Sequence, residues 1–363
     1  MISENVNVGN TKADLRKVSV VGSGLIGTSI ALALTQGGVE VVMLDADADA
    51  QALAQDLVGR ESTSAPSDLV IFATPISALS QVINDVYQSN LNSTFMDISS
   101  VKTKIKLEVE SSLIPSEKFL LTHPMAGREV GGAVSARADL FRGRIWAFDP
   151  AGVDSVALAH GLKVIELCGA TPLPISAAAH DGAVALTSHL PQIISSLLAA
   201  QLQQGDPATL DLAGSGLRDT TRIAASSAQL WQEIIVANSE ALKPLLAKTI
   251  ADLTNILENI EDEETVRLFI EAGNIGRNLI PGKHGGLARN YTFLPVVIED
   301  KAGELARLFD ACALANVNVE DLSIEHSPEQ LTGLITLALS ERDAGTLYQY
   351  LLDAGWRVHL PRQ

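Results

Sequence analysis

Val18-Ser19-Val20-Val21-Gly22-Ser23-Gly24-Leu25-Ile26-Gly27, followed by Thr28-Ser29-Ile30-Ala31-Leu32-Ala33-Leu34, is the stretch that decides the fold. A β-branched run enters a GxGxxG turn and leaves as an apolar helical run, the context in which such glycines have separate tasks. Gly22 allows the tight turn, Gly24 lets the backbone approach a pyrophosphate, and Gly27 permits close packing of helix on strand. Leu25 and Ile26 open the helix, whose free N–H groups and dipole suit a diphosphate. The next apolar run, 39–45, ends in Asp45, 18 residues past Gly27. A carboxylate there accepts from ribose hydroxyls and repels a 2′-phosphate, and Asp47 adds a second negative charge, so the expected cofactor is NAD and not NADP. Thr74 and Pro75, at the end of a third apolar run, complete the candidate cofactor contacts.

Working outward, VSVVGSG, VEVVMLD, DLVIFATP, STFMDIS, FLLTHP, IWAFDP and KVIEL read as short strands, with helical stretches between most of them. This alternation predicts a Rossmann-like, doubly wound α/β sheet over residues 16–175, behind a loose tail at 1–15. Strand signals then vanish. Residues 176–283 are rich in Ala and Leu with apolar positions three to four apart, which predicts an all-helical domain whose apolar faces need a partner, expected to be a second copy. Turn residues Pro281, Gly282, Gly285 and Gly286 lead into a linker at 284–291. Residues 292–363 read β-α-β-β-α-β, the split α+β ferredoxin-like pattern.

A length of 363 residues is enough for two or three domains, and the 47% hydrophobic content is enough for sizeable cores. A net charge of −17 argues against nucleic acid and anionic membrane surfaces as partners. No run of apolar residues reaches the roughly 18–20 of a membrane span, and the polar N-terminus has no apolar signal core. Cys168 and Cys312 are far apart, outside any CxxC, and read as buried thiols in a reducing cytoplasm. An anionic substrate would meet a repulsive global field, so local arginines must supply the attraction.

His123 in FLLTHPMAG and Ser100 in DISSVK each follow a strand-like run. Strand C-terminal ends in open α/β sheets face the cofactor crevice, so the two can converge on a nicotinamide. His189 and His180 lie nine residues apart. On one continuous helix they point to opposite faces, and His180 reads as a structural or interface residue.

Four segments together carry a more specific resemblance: Thr122-His123-Pro124-Met125-Ala126-Gly127, Asp97-Ile98-Ser99-Ser100-Val101-Lys102, Ser188-His189-Leu190-Pro191-Gln192 and Thr221-Arg222-Ile223-Ala224. Occurring together along the chain, they resemble the motif set of the prephenate/arogenate dehydrogenase family. Ile280-Pro281-Gly282-Lys283-His284-Gly285-Gly286 resembles the linker of members with a C-terminal ACT domain. The resemblance implies NAD-dependent oxidation of the ring C4 hydroxyl of prephenate with loss of the C1 carboxylate, giving 4-hydroxyphenylpyruvate, a step of tyrosine biosynthesis. It makes His123 the base at that hydroxyl, Ser100 a hydrogen-bond partner of the same hydroxyl, and Arg222 a carboxylate ligand. His189 and Gln192 fall near the substrate pocket, although many relatives carry a second histidine where this chain has Gln192. Arg128 is a nearby cation expected to favour the keto acid prephenate over the amino acid arogenate. The expected homodimer is built on the helical domain; the ACT resemblance implies tyrosine as effector, and Gly303 would let an amino acid approach the backbone. The alternatives are arogenate dehydrogenase, a hydroxyacid dehydrogenase, and a non-catalytic cofactor-bound amino-acid sensor. The absence of lysine between Lys163 and Lys243 disfavours the second. The joint presence of His123, Ser100 and Arg222 disfavours the third.

Overall fold

The computed structural model describes residues 14–59, 66–127, 131–280, 291–325 and 331–362. The chain forms two compact units, one up to Asp252 and one from Leu253. The first opens with β1 (Lys17–Val21), α1 (Leu25–Gln36), β2 (Glu40–Leu44), α2 (Ala48–Val58), β3 (Leu69–Phe72), α3 (Ile76–Gln88), β4 (Thr94–Asp97), α4 (Thr103–Glu110) and β5 (Phe119–Pro124). β6 (Ile145–Asp149), α5 (Ser155–Leu167) and β7 (Thr171–Pro174) follow. The strand order is β2-β1-β3-β4-β5-β6-β7, parallel except that β6 runs antiparallel to β5. Helices cover the central strands, whose residues are buried on both faces; they therefore read in the sequence as unbroken apolar runs. Strand order reverses between β1 and β3, and there the C-terminal strand ends open the crevice expected of a doubly wound sheet.

One expected strand is a helix. KVIEL lies inside α5, where Asp154 caps the N-terminus and Ala157, His160, Gly161, Val164 and Ile165 form one buried face. Its β-branched residues suit a strand, but their spacing extends a helical stripe begun a turn earlier. The seventh strand is Thr-Pro-Leu-Pro at 171–174, exposed at the sheet edge, where proline is tolerated.

The first unit continues as helices: α6 (Ala177–Val184), a π-helical turn Ala185–His189, α7 (Leu190–Gln201), α8 (Pro207–Leu210), α9 (Ser215–Thr221) and α10 (Ala228–Ala237). α11 (Ser239–Glu258) carries the chain past Asp252. The helical run Ala177–Gln204 is long and apolar enough to cross a membrane by composition. Individual polar residues interrupt it, so it is not an unbroken apolar run. It carries buried His180, Asp181, His189 and Gln192, all hydrogen-bonded to protein groups, so its polar face belongs to the protein interior.

The second unit holds α12 (Glu263–Asn278), β8 (Thr292–Glu299), α13 (Glu304–Leu314), β9 (Asp321–Glu325), β10 (Thr332–Leu339), α14 (Glu341–Asp353) and β11 (Arg357–Val358). The four strands make an antiparallel sheet in the order β11-β8-β10-β9. Its core is Leu294, Val296, Leu308, Ile335, Leu337, Leu347 and Leu351. Gly303 has φ +94° at the start of α13, a left-handed conformation that favours glycine. Residues 1–13 of the expected 1–15 tail and most of the expected linker lie outside the described residues.

Candidate functional site

The glycine turn after β1 is fixed by contact as much as by conformation. Gly22 has φ +113°, and a Cβ on it would stand 2.4 Å from the Ala73 carbonyl oxygen. A Cβ on Gly27 would stand 2.2 Å from the Gly22 carbonyl oxygen and 2.9 Å from the Ala73 Cβ. A Cβ on Gly24 would meet nothing within 4 Å, and the residue is exposed, so a ligand can reach the backbone there. Gly22 therefore serves β1–β3 packing in addition to the turn. α1 begins at Leu25 and Ile26 with no side-chain cap on its first N–H groups. The Asp45 carboxylate accepts from the Ser23 N–H at 2.6 Å and the Asp47 N–H at 3.0 Å, which places it directly behind the turn. Asp47 itself caps α2 through the Asp49 and Ala50 N–H groups. Thr74 and Pro75 lead from β3 into α3, which Pro75 precedes as N-cap. The Ser23 and Thr74 hydroxyls are buried without a hydrogen-bond partner among the described residues. Open space at Gly24, an uncapped helix end, two unpaired hydroxyls and a fixed acid together fit a dinucleotide diphosphate and ribose.

Along the same edge, β4 and β5 end side by side. The Asp97 carboxylate accepts from the Thr122 N–H at 3.0 Å and the Ser99 N–H at 3.0 Å, joining the two strand ends. Buried Lys102 forms an ion pair with Asp97, and its Nζ donates to the Thr122 carbonyl at 2.6 Å. Burial pulls the Lys102 ammonium below its usual range, opposed mainly by Asp97. His123 is the next residue, inside β5 and not beyond it. Ser100 lies in the loop between β4 and α4, between Ser99 and Lys102.

His123 Nδ1 is 2.9 Å from His180 Nε2, and His180 Nδ1 is 2.8 Å from Asp181 Oδ1. The Asp181 carboxylate also accepts the Lys102 and Thr103 N–H groups, each at 2.7 Å, at the start of α4. A carboxylate takes the His180 Nδ1 hydrogen, so His180 accepts at Nε2 and His123 donates from Nδ1. The lone pair of His123 then falls on Nε2. Desolvation, followed by the neighbouring His180, Lys102 and His189, holds the His123 imidazole well below 6.5 against an opposing Asp181, so the ring is neutral at pH 7.

His180 is thus the direct partner of the candidate base and not a remote structural residue. The π-helical turn widens the spiral between His180 and His189 and breaks the helical phase that had set them on opposite faces. Asn238, at the end of α10, donates to the Asp181 carbonyl at 2.9 Å and faces His189 Nδ1 at 3.0 Å. Burial lowers the His189 ring to about 4. Gln192 and Ser195, both buried on α7, hold the turn that carries Arg222. Gln192 Nε2 donates to the Ile223 carbonyl at 3.0 Å, and Ser195 Oγ donates to the Thr220 carbonyl at 2.8 Å. His123, His189, Gln192 and the Arg222 turn therefore share one hydrogen-bonded and covalent framework. Arg128 lies outside the described residues.

Asp181, Asn238, Ser195 and Lys102 are functional candidates without an assignment from sequence. Lys102 closes the motif quoted above, and Asp181 directly follows a histidine; these were the available signals. Nothing in the sequence distinguishes Asn238 from an ordinary break between helices.

Residues 30–172 match the family model "Prephenate dehydrogenase, nucleotide-binding domain", and residues 176–271 match "Prephenate dehydrogenase, dimerization domain". The chain is 31% identical to the "Probable prephenate dehydrogenase NovF" of Streptomyces niveus, over 94% of this chain and 99% of that protein. It is 25% identical to the prephenate dehydrogenase of Bacillus subtilis, over 90% and 92%. Among solved structures it is similar to prephenate dehydrogenase from Aquifex aeolicus in complex with hydroxyphenyl propionate and NAD+. That match has a TM-score of 0.65 and 25% identity, covering 73% of this chain and 98% of that one. It is also similar to arogenate dehydrogenase from Synechocystis, with a TM-score of 0.61 and 26% identity, covering 73% and 100%.

Two variants separate the glycine tasks. Gly27→Ala is expected to lower thermal stability, because its Cβ meets backbone; Gly24→Ala is expected to keep the melting temperature and weaken dinucleotide binding. Calorimetry with and without dinucleotide measures both. Lys102→Met leaves Asp97 buried without its ion-pair partner and is expected to cost about 3–5 kcal/mol of unfolding free energy, read by denaturant titration.

Proposed function

The chain belongs to the prephenate dehydrogenase family, and from that premise we propose that it oxidises prephenate with NAD, releasing carbon dioxide and 4-hydroxyphenylpyruvate. The observation that carries this reading is the chain His123–His180–Asp181 on the same C-terminal edge of the parallel strands as the glycine turn, which leaves an imidazole lone pair free at a strand end. The oxidoreductase chemistry needs two acceptors: one for a hydride and one for a proton. NAD, held by Gly22, Gly24, Leu25, Ile26, Gly27, Asp45, Thr74 and Pro75, supplies the first when bound.

His123 Nε2 is the second. It accepts the C4 hydroxyl proton as C4 gives up its hydride, and Ser100 hydrogen-bonds the same oxygen. The C1–carboxylate bond breaks, its electron pair aromatises the ring, and the C4 oxygen becomes a phenolate. His123 returns the proton to that phenolate, so the base ends the turnover as it began. Asp181 orients His180 and, through it, the His123 tautomer. Arg222 binds a substrate carboxylate through its planar fork and offsets the repulsion of a chain with net charge −17. His189 and Gln192 contribute neutral hydrogen-bonding groups to the same pocket.

A second reading, arogenate dehydrogenation, is favoured by the likeness to the Synechocystis enzyme. The same base and carboxylate ligand serve both substrates, and Arg128 tips the balance to the keto acid. We further read 176–283 as a dimerisation domain; Ile250, Leu253, Leu257, Phe269 and Ile275 on α11 and α12 remain exposed apolar groups that a second copy would cover. Residues 292–363, with strand order β11-β8-β10-β9, support an ACT-like regulatory domain that binds tyrosine near Gly303. Two free buried thiols, with Cys168 pushed up to about 12 by burial, suit a cytoplasmic enzyme.

NADH formation with prephenate, arogenate and a hydroxyacid panel tests the substrate; faster turnover of arogenate would overturn the assignment, and Arg128→Gln is expected to shift preference toward it. His123→Asn is expected to lower kcat by roughly 10²–10⁴-fold with a smaller effect on KM. The base works unprotonated, so activity is lost only as pH falls through its lowered pKa. The acid limb of kcat/KM is therefore expected well below pH 6.5, and a limb at or above that value would count against this assignment.

A further inference from the structure

Asn238 is 3% exposed and makes two contacts through one nitrogen. The Asp181 carbonyl oxygen, 2.9 Å away, determines which end of the amide faces it. Turning the amide over would set two oxygens against each other, so the group there is the NH2. That same NH2 stands 3.0 Å from His189 Nδ1. An amide nitrogen only donates, and Nδ1 must therefore accept. An imidazole that accepts at Nδ1 keeps its hydrogen on Nε2. The Trp231 ring stands edge-on to the imidazole at 6.0 Å, which restricts rotation of the ring out of this arrangement.

We propose that Asn238 is a positioning residue that fixes His189 as an uncharged Nε2–H donor to an oxygen of the bound ring acid, a role that rests on the function proposed above. The consequence is a division of labour. Arg222 supplies charge to the substrate, whereas His189 supplies direction without charge. A neutral donor beside His123 also avoids a second fixed cation next to the base. The titratable groups facing His189 are Asp181, which favours its protonation, and His180, which opposes it; His123 lies beyond them in the same cluster. Burial outweighs all of these, so the Asn238 amide and the enclosed setting act in the same direction.

The test reads the tautomer directly on the full-length protein by long-range proton–nitrogen NMR, with the His189 signals identified by their loss in His189→Gln. The expected result in the unaltered protein is hydrogen on Nε2 and a bare Nδ1. Asn238→Asp keeps the shape and replaces the donor with an acceptor. It is expected to move hydrogen onto Nδ1 and to raise KM for prephenate about tenfold while kcat is largely kept, the signature of one lost hydrogen bond to a charged ligand. Hydrogen on Nδ1 in the unaltered protein overturns the proposal, even if the variant does not fold. An Asn238→Asp protein with an unmoved tautomer, or with a moved tautomer and an unchanged KM, overturns it as well. The tautomer is read without substrate, so inactivity toward prephenate would count against the proposed function and leave this measurement standing.

Discussion

The carboxylate of Asp181 is the constraint on which the site depends. One of its oxygens receives the Lys102 N–H and the His180 Nδ1 hydrogen, the other receives the Thr103 N–H, and the backbone carbonyl of the same residue receives the Asn238 amide. Four elements meet there: the start of α4, helix α6, the end of α10 and, through His180, strand β5. Nearly every one of these donors is buried, so each bond removed would leave a polar group without water to replace its partner. Helices α6 and α10 are thereby held in register with the start of α4 and the end of β5. The imidazole of residue 123 inherits its tautomer from this arrangement.

A second buried charge stabilises the other side of the same strand end. Lys102 and Asp97 neutralise each other within the protein, and both also bind the backbone of Thr122, one at its carbonyl and one at its N–H. Thr122 is further held by the indole N–H of Trp146 at 2.9 Å. Ion pairs this deep contribute less to net stability than their attraction suggests, because both partners give up hydration. Their effect here is geometric. The residue that follows Thr122 has little freedom to move along or across the sheet.

Much of this was legible in the sequence, and the reasons differ by part. The sheet was legible because buried parallel strands are unbroken apolar runs ending in glycine, aspartate or proline. The glycine turn was legible because each glycine sits where a side chain would collide or where one must be absent. His123 was legible as a strand-end histidine. KVIEL misled because local composition and helical phase disagreed, and tertiary packing decided in favour of phase. His180 misled because the phase argument assumed an ideal helix, whereas a π-helical turn intervenes before His189. Asn238 could not be assigned at all. Its role lies in a contact with the Asp181 carbonyl, 57 positions away, which no local pattern announces.

The edge strand β7 has a consequence for assembly. Thr171 turns its N–H inward to the Arg144 carbonyl at 2.8 Å, and Ile175 does the same to Phe148 at 2.9 Å. By strand alternation the outward-facing nitrogens belong to Pro172 and Pro174, neither of which carries a hydrogen. The rim of the large sheet therefore offers acceptors but no donors to an approaching strand. Strand addition that would extend the sheet is disfavoured at that border.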